Sequence, residues 1–234
     1  LFICGTKEKY RQLRDLHSLN SHIKAVQQCC DNGGFSVGGN NPFSLSLSYD
    51  ALVELIEHLK ACVEVASSRT INWQMFCLTH ETILSFLLQV SCLLDEVVAQ
   101  TILQLLQCAI CPPAPQASQS DKSSKNGSSA KPEKEKEGDT DETNNCTALV
   151  KQLNKCVERE LLTRFIRTFL LDTNTTNIRW QAHALVVAIY KNSDKGEQET
   201  VLDLMWSLWP NLPAYGRKAV QFVDLLGYFS IKCN

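Results

Sequence analysis

NIRWQAHALVVAIYKNSDKGEQETVLDLMWSLWPNLPAYGRKAVQFVDLLGYFSIK, from Asn177 to Lys232, decides the fold class. Its apolar residues recur at three- and four-residue steps in three successive stretches, the mark of amphipathic helices, and no stretch alternates as a strand would. The first helix is expected over Ile178–Lys191. The second runs near Gln198–Trp209 on Leu202, Met205, Leu208 and Trp209 and stops at Pro210. Pro213 then opens the last helix as a first-turn proline, with Tyr215, Ala219, Phe222, Val223, Leu226 and Phe229 facing inward. No nucleophile–base pair, phosphate loop or complete metal-ligand set accompanies them.

The same periodicity extends towards the N-terminus. Tyr10, Leu13, Leu16, Leu19, Ile23 and Val26 predict a helix over Lys7–Gln28, followed by a flexible loop where DNGGFSVGGNN clusters glycine and asparagine from Asp31 to Asn41. A second helix is expected from Ser48 or Asp50 to Ser67, with Leu52, Val53, Ile56, Leu59, Cys62 and Val65 inward and Glu54, Glu57 and Lys60 outward. Thr70 is expected to cap a short helix through Ile71, Trp73 and Phe76. Thr79 should cap a helix over Glu81–Leu94 that is apolar nearly all round and so buried on several sides. Asp95–Glu96 start the next, carried by Val97, Val98, Ile102, Leu105 and Leu106 to Ile110 and ended by Pro112 and Pro113.

Pro112 to Asn145 has alanine as its sole apolar side chain besides proline, so it cannot offset the entropy of ordering and is expected as a disordered polar linker. Its Lys131–Glu137 run could turn helical only in passing. Beyond it, Thr147 is expected to cap Ala148–Val157. Glu158–Leu171 follows on Leu161, Leu162, Phe165, Ile166 and Phe169, and DTNTTN (Asp172–Asn177) makes a turn. The chain thus predicts an all-α, armadillo/HEAT-like solenoid segment of about nine helices with one long insertion. Residues 1–111 and 146–234 form its two halves, packed as one unit across the 112–145 linker. An echo, Ile71-Asn72-Trp73-Gln74 against Ile178-Arg179-Trp180-Gln181, supports repetition weakly, since four matched positions arise by chance.

Composition narrows the function. Hydrophobic content of 44% and charged content of 21% belong to globular chains, and no apolar run reaches the roughly 20 residues of a membrane span. Of 23 basic and 25 acidic residues, 5 and 7 fall in the linker, leaving 18 of each and no electrostatic case for nucleic acid. Eleven cysteines, an odd number, sit mostly within apolar helical patterns, as at Cys62, Cys77, Cys92, Cys108 and Cys156. That usage implies a reducing compartment, cytoplasmic or nuclear. The sequons at Asn126, Asn145 and Asn174 are then chance matches. The first residue is Leu1 rather than Met, as in a piece of a longer chain.

The candidate site residues resolve to structural roles. Cys108-x-x-Cys111 is half a zinc site with no second pair at the usual distance, and neither adjacent Cys29–Cys30 nor His17 and His22 completes it. His58 and Cys62 are four apart and able to touch, without a sign of activation. His183 has no carboxylate one turn away. Asp95–Glu96 and Glu158/Glu160 sit at helix starts, where they complement the dipole. Trp206 and Trp209 suit either a partner hot spot or, by preference, packing between helices. Arg217 and Lys218 are too few to define a calmodulin-target helix. Catalytic, cofactor-binding and metal residues are therefore all expected to be none.

Long strings carry a resemblance. LPAYGRKAVQFVDLLGYFS (212–230), LFICGTKEKYRQLRDLHSL (1–19), LIEHLKACVEVASSRTINWQ (55–74), LLQVSCLLDEVVAQTILQLLQCAIC (87–111), CTALVKQLNK (146–155) and RWQAHALVVAIYKNS (179–193) resemble the UBR-box N-recognin family of E3 ubiquitin ligases, in its very large form. The resemblance covers nearly everything except 31–48 and the linker. It implies a ubiquitin ligase of the N-degron pathway on a long helical-repeat framework. The family's zinc-binding recognition box and zinc-dependent transfer module have no counterpart motif here, so zinc is expected only in other modules. It also implies protein partners: other segments of the same ligase, ubiquitin-pathway proteins and calmodulin. The segment itself is expected to be a non-catalytic scaffold, with a protein-interaction module as the alternative.

Overall fold

A computed structural model describes residues 2–35, 45–111 and 137–233, and among them every regular element is helical. Ten α-helices follow in order, against the nine or so expected: α1 (Phe2–Asn32), α2 (Tyr49–Ser68), α3 (Thr70–Thr79), α4 (Ile83–Ser91), α5 (Glu96–Ile110), α6 (Glu137–Cys156), α7 (Arg159–Ile166), α8 (Thr176–Asn192), α9 (Lys195–Ser207) and α10 (Arg217–Cys233). A π-helical turn, Arg167–Asp172, prolongs α7, and a 3-10 helix, Trp209–Tyr215, joins α9 to α10. The chain is an all-α helical solenoid segment. Each helix packs on near neighbours: α1 on α2, α2 and α4 on α5, α3 on α6, α5 on α8, and α9 on α10. One apolar cluster runs from Leu19 in α1 to Phe229 in α10.

Helix ends follow local chemistry. Ser48 and Asp95 accept from the backbone N–H of Ala51 and Val98, so α2 and α5 begin at true side-chain caps. Asp194 and Glu197 form a reciprocal capping box at α9, which therefore starts three residues before the expected Gln198. Three threonines expected as caps are not. Thr70, the first residue of α3, donates to the Ala66 carbonyl of α2; Thr79, its last, donates to the Phe76 carbonyl; and Thr147, inside α6, donates to the Thr143 carbonyl. Helix α3 instead follows Arg69 and α4 follows Thr82, neither with a side-chain cap.

The linker boundary also moves. Helix α6 begins at Glu137, so the 137–145 stretch expected to be linker is helical, because it has something to pack on. Gln74 of α3, fully buried, donates to the Ala109 carbonyl of α5 (3.2 Å) and the Glu142 carbonyl of α6 (3.4 Å), while Asn145 donates back to Gln74 Oε1 (3.2 Å). Such bonds satisfy carbonyls at one helix end while fixing a neighbour's approach. The loop expected over Asp31–Asn41 lies outside the described residues from 36 onward. So do residues 112–136, with the Asn126 sequon and all but the last residue of the expected Lys131–Glu137 run.

Pro213 does not open the last helix. It sits inside the 3-10 helix, and Gly216 at φ +53° turns the chain into α10. The 71–74 and 178–181 strings are not equivalent positions either. Trp73 is fully buried and donates to the Leu105 carbonyl at 2.9 Å, whereas Trp180 is 54% exposed.

Candidate functional site

Most of the described thiols, and the His22, His58 and His183 imidazoles, are at least partly buried. Burial pushes Cys30, Cys62 and Cys111 up to about 12, Cys92 to about 11, and Cys77 well above its usual range. Cys29, Cys108 and Cys146 are also raised, again chiefly by burial. A nucleophilic or metal-binding cysteine needs its thiolate, and these environments suppress it. Cys108 and Cys111 stand half-buried against the core at the end of α5. Among the described residues no group of three or more His, Cys, Asp or Glu side chains converges as a metal site would require.

His58 is engaged by His22 and Glu54. Its Nδ1 meets Nδ1 of His22 on α1 at 2.9 Å, and its Nε2 stands 3.8 Å from Glu54. One imidazole must donate and the other accept, so the bond holds α1 to α2 only while at least one Nδ1 is bare. Burial, then the facing His58 charge, lowers the His22 pKa. Sequence reasoning missed this pair because the partners lie 36 residues apart. His183 is half-buried with its ring edge on Trp180, and burial lowers its pKa.

The acidic candidates are structural. Glu96 accepts from Thr175 and from Thr173 (2.8 Å), tying the start of α5 to the turn before α8, and these bonds lower its pKa. Asp15, which the sequence did not single out, is buried in α1. Burial alone would raise its pKa, but bonds from Arg69 and Asn72 and the Arg69 charge outweigh that, so it stays below its usual range. Glu158 is the residue before α7 and gives no side-chain cap.

The surface that stands out is apolar and lies at the α9–α10 end. Trp206 and Trp209 do not pack into the core as preferred from sequence. Both are 46% exposed, with ring centres 5.2 Å apart. Beside them Trp209, Leu212, Pro213, Gly216, Ala219 and Val223 line an open groove of about 300 Å³. Helix α10 continues the patch through exposed Val220, Val223 and Ile231, with Gly227 open to solvent between them. Phe222, Leu225, Leu226 and Phe229 fill its opposite, inward face. Lys218 is held by the Asp172 carbonyl (3.1 Å) and Asn174 (2.7 Å). The 220-223-227-231 spacing was present in the sequence as a second stripe beside the inner one.

Fold and surface together define a class: a stacked-helix segment whose most developed feature is an apolar contact face. Comparison with known proteins places it further. The chain is 41% identical over 248 residues to Protein purity of essence of Drosophila pseudoobscura pseudoobscura, 99% of this chain and 5% of that protein. It is 27% identical over 250 residues to Auxin transport protein BIG of Oryza sativa subsp. japonica, 100% of this chain and 5% of that protein. A Dictyostelium discoideum protein named as a probable E3 ubiquitin-protein ligase is 25% identical over 228 residues, 97% of this chain and 4% of its own length. No family model matches, and no solved structure does. The chain is homologous over its whole length to one stretch of purity of essence and BIG, and it spans about 5% of the length of these very large proteins.

Proposed function

We propose that this chain is a non-catalytic scaffold section of a giant E3 ubiquitin ligase of the N-degron pathway, acting in the cytoplasm or nucleus. It spaces and orients the modules that recognise substrates and transfer ubiquitin. The observation that carries the reading is the continuous helical core, which takes Cys29, Cys30, Cys62 and Cys77 into its packing. A stack in which each helix touches mainly its neighbours gains length without a larger core, as a spacer needs. The ubiquitin link comes from the relative named as a probable E3 ligase. No helix among the described residues is long and apolar enough to cross a membrane.

The test is discharge of a ubiquitin-charged conjugating enzyme by the purified chain. No acceleration over buffer is expected, and discharge without other modules would overturn the scaffold reading. A second reading, an interaction module, is favoured by the exposed Trp206/Trp209 and Val220/Val223 patch. A pull-down with and without residues 112–145 separates the two. Recovery of a ubiquitin-pathway protein or calmodulin would favour the module, and recovery of other segments of the ligase the scaffold.

A further inference from the structure

Helix α10 has two apolar faces. With 3.6 residues per turn, Phe222, Leu225, Leu226 and Phe229 fall on one side and Val220, Val223, Gly227 and Ile231 on the other. The first set is buried and the second exposed. An amphipathic surface helix needs one stripe, whereas a helix apolar on opposite sides belongs to an inner layer. Helix α4 shows what such a helix looks like once covered, with Ile83, Leu84, Phe86, Leu87, Leu88 and Val90 all buried.

We infer that the outer face of α10, with the shelf made by Trp206 and Trp209, seats a further amphipathic helix pair of the same long polypeptide. This rests on the scaffold reading above. Almost all of the polypeptide of the relatives lies outside the matched region, which is about 5% of their length. The face also has the apolar kind of surface by which α10 already meets α8. Tyr190 of α8 stacks on Phe229 of α10 with ring centres 3.9 Å apart, and no ion pair among the described residues joins the two helices. The outer stripe has the same character, and Asp224 is the one carboxylate beside it, between Arg217 and Lys232 at the helix ends. Nothing there selects a strongly charged partner. Gly227, with nothing near the position of an added Cβ, lets a crossing helix come close, and the groove beside Val223 receives a large apolar side chain. A helix tethered in the same chain meets the face at a high effective concentration that a separate protein lacks.

The experiment is photo-crosslinking in the full-length protein, with p-benzoylphenylalanine in place of Tyr228 or Val220 and a control at exposed Lys24. Mixed light and isotope-labelled copies distinguish links within one molecule from links between two. A dominant link from α10 to a helical peptide outside this segment and within the same molecule is expected. Links to a second copy, links to a different protein, or yields no higher than at Lys24 would each overturn the inference. The Val220→Asp/Val223→Asp variant of the isolated chain should unfold at the same temperature as the parent. In the full-length protein the same variant should lose the link, and persistence of the link would also count against the inference. Failure of the scaffold reading shows separately, as unaided ubiquitin discharge.

Discussion

At the scale of single residues, Asp15 and the thiols are the sharpest probes. Asp15 is buried and holds Arg69 and Asn72, so it joins α1 to the α2–α3 corner. Asp15→Ala strands those donors. Because Arg69 keeps about a third of its side chain in water, the loss should be about 2–3 kcal/mol, below that of a fully buried pair. Urea unfolding measures it, and a loss under about 0.5 kcal/mol, the size of a neutral surface change, would refute the role. The folded-state pKa values of Asp15 and Glu96 are depressed, so their stabilisation is present above the unfolded carboxyl range and lost as pH falls through the folded value. His22 and His183 are also lowered, so the fold binds fewer protons than the unfolded chain and loses stability as pH falls through about 6.5. Melting temperature should therefore decline in two steps on acidification, and a rise between pH 7 and 5.5 would contradict the His22–His58 geometry. Thiol labelling at pH 7.5 should spare Cys30, Cys62 and Cys77 until unfolding, since burial both hides them and holds them protonated. Fast native labelling at Cys62 would mean that the packing of α2 against α3 opens.

At the scale of elements, the turn into α10 rests on Gly216, whose φ of +53° is open to glycine and strained for other residues, although a Cβ there would meet nothing within 4 Å. Gly216→Ala should thus cost about 1–2 kcal/mol through backbone strain alone. Gly227→Ala, helical and equally uncrowded, should stabilise the isolated chain by a few tenths to about 1 kcal/mol. Equal effects from the two changes would show that the turn is not strained. Periodicity made the number and order of helices legible, and Ser48 and Asp95 marked two true starts. Thr70, Thr79 and Thr147 misled because a threonine hydroxyl satisfies itself as well on a carbonyl three or four residues back as on an N-terminal N–H. Spacing reports which side of a helix is apolar, but not whether anything covers it. Tyr10 and Leu13 lie on the α1 stripe and are 72% and 67% exposed, and Val97, Trp206 and Trp209 escape burial in the same way. The candidate surface was hidden for that reason: Trp206, Trp209 and Val223 were assigned to a core that stops one layer short of them, and Val220, Gly227 and Ile231 were not singled out.

At the scale of the whole molecule, the decisive contacts join residues on either side of the 112–136 stretch. Gln74 bonds to both α5 and α6, Gln152 of α6 donates to the Cys77 carbonyl of α3 (2.9 Å), and α5 packs along α8. The Gln74–Glu142 and Gln152–Cys77 bonds span 68 and 75 residues of sequence, yet they need only that the two halves meet, not that residues 112–136 connect them. A chain cut within 112–136, for example at an inserted protease site after Ser123, should then stay together as one particle of unchanged mass in native buffer. It should unfold in one transition, at a midpoint lowered and made concentration-dependent because association has become bimolecular. Gln74→Ala in the cut chain should weaken the pairing further, since it removes the bond to α6 and takes the donor from the Ala109 carbonyl at the end of α5. Two independent transitions, or separation of the halves on a sizing column at micromolar concentration, would mean that each half carries its own core. Rejoining after dilution and reconcentration would show that this section assembles as one rigid span, the property a spacer between distant modules requires.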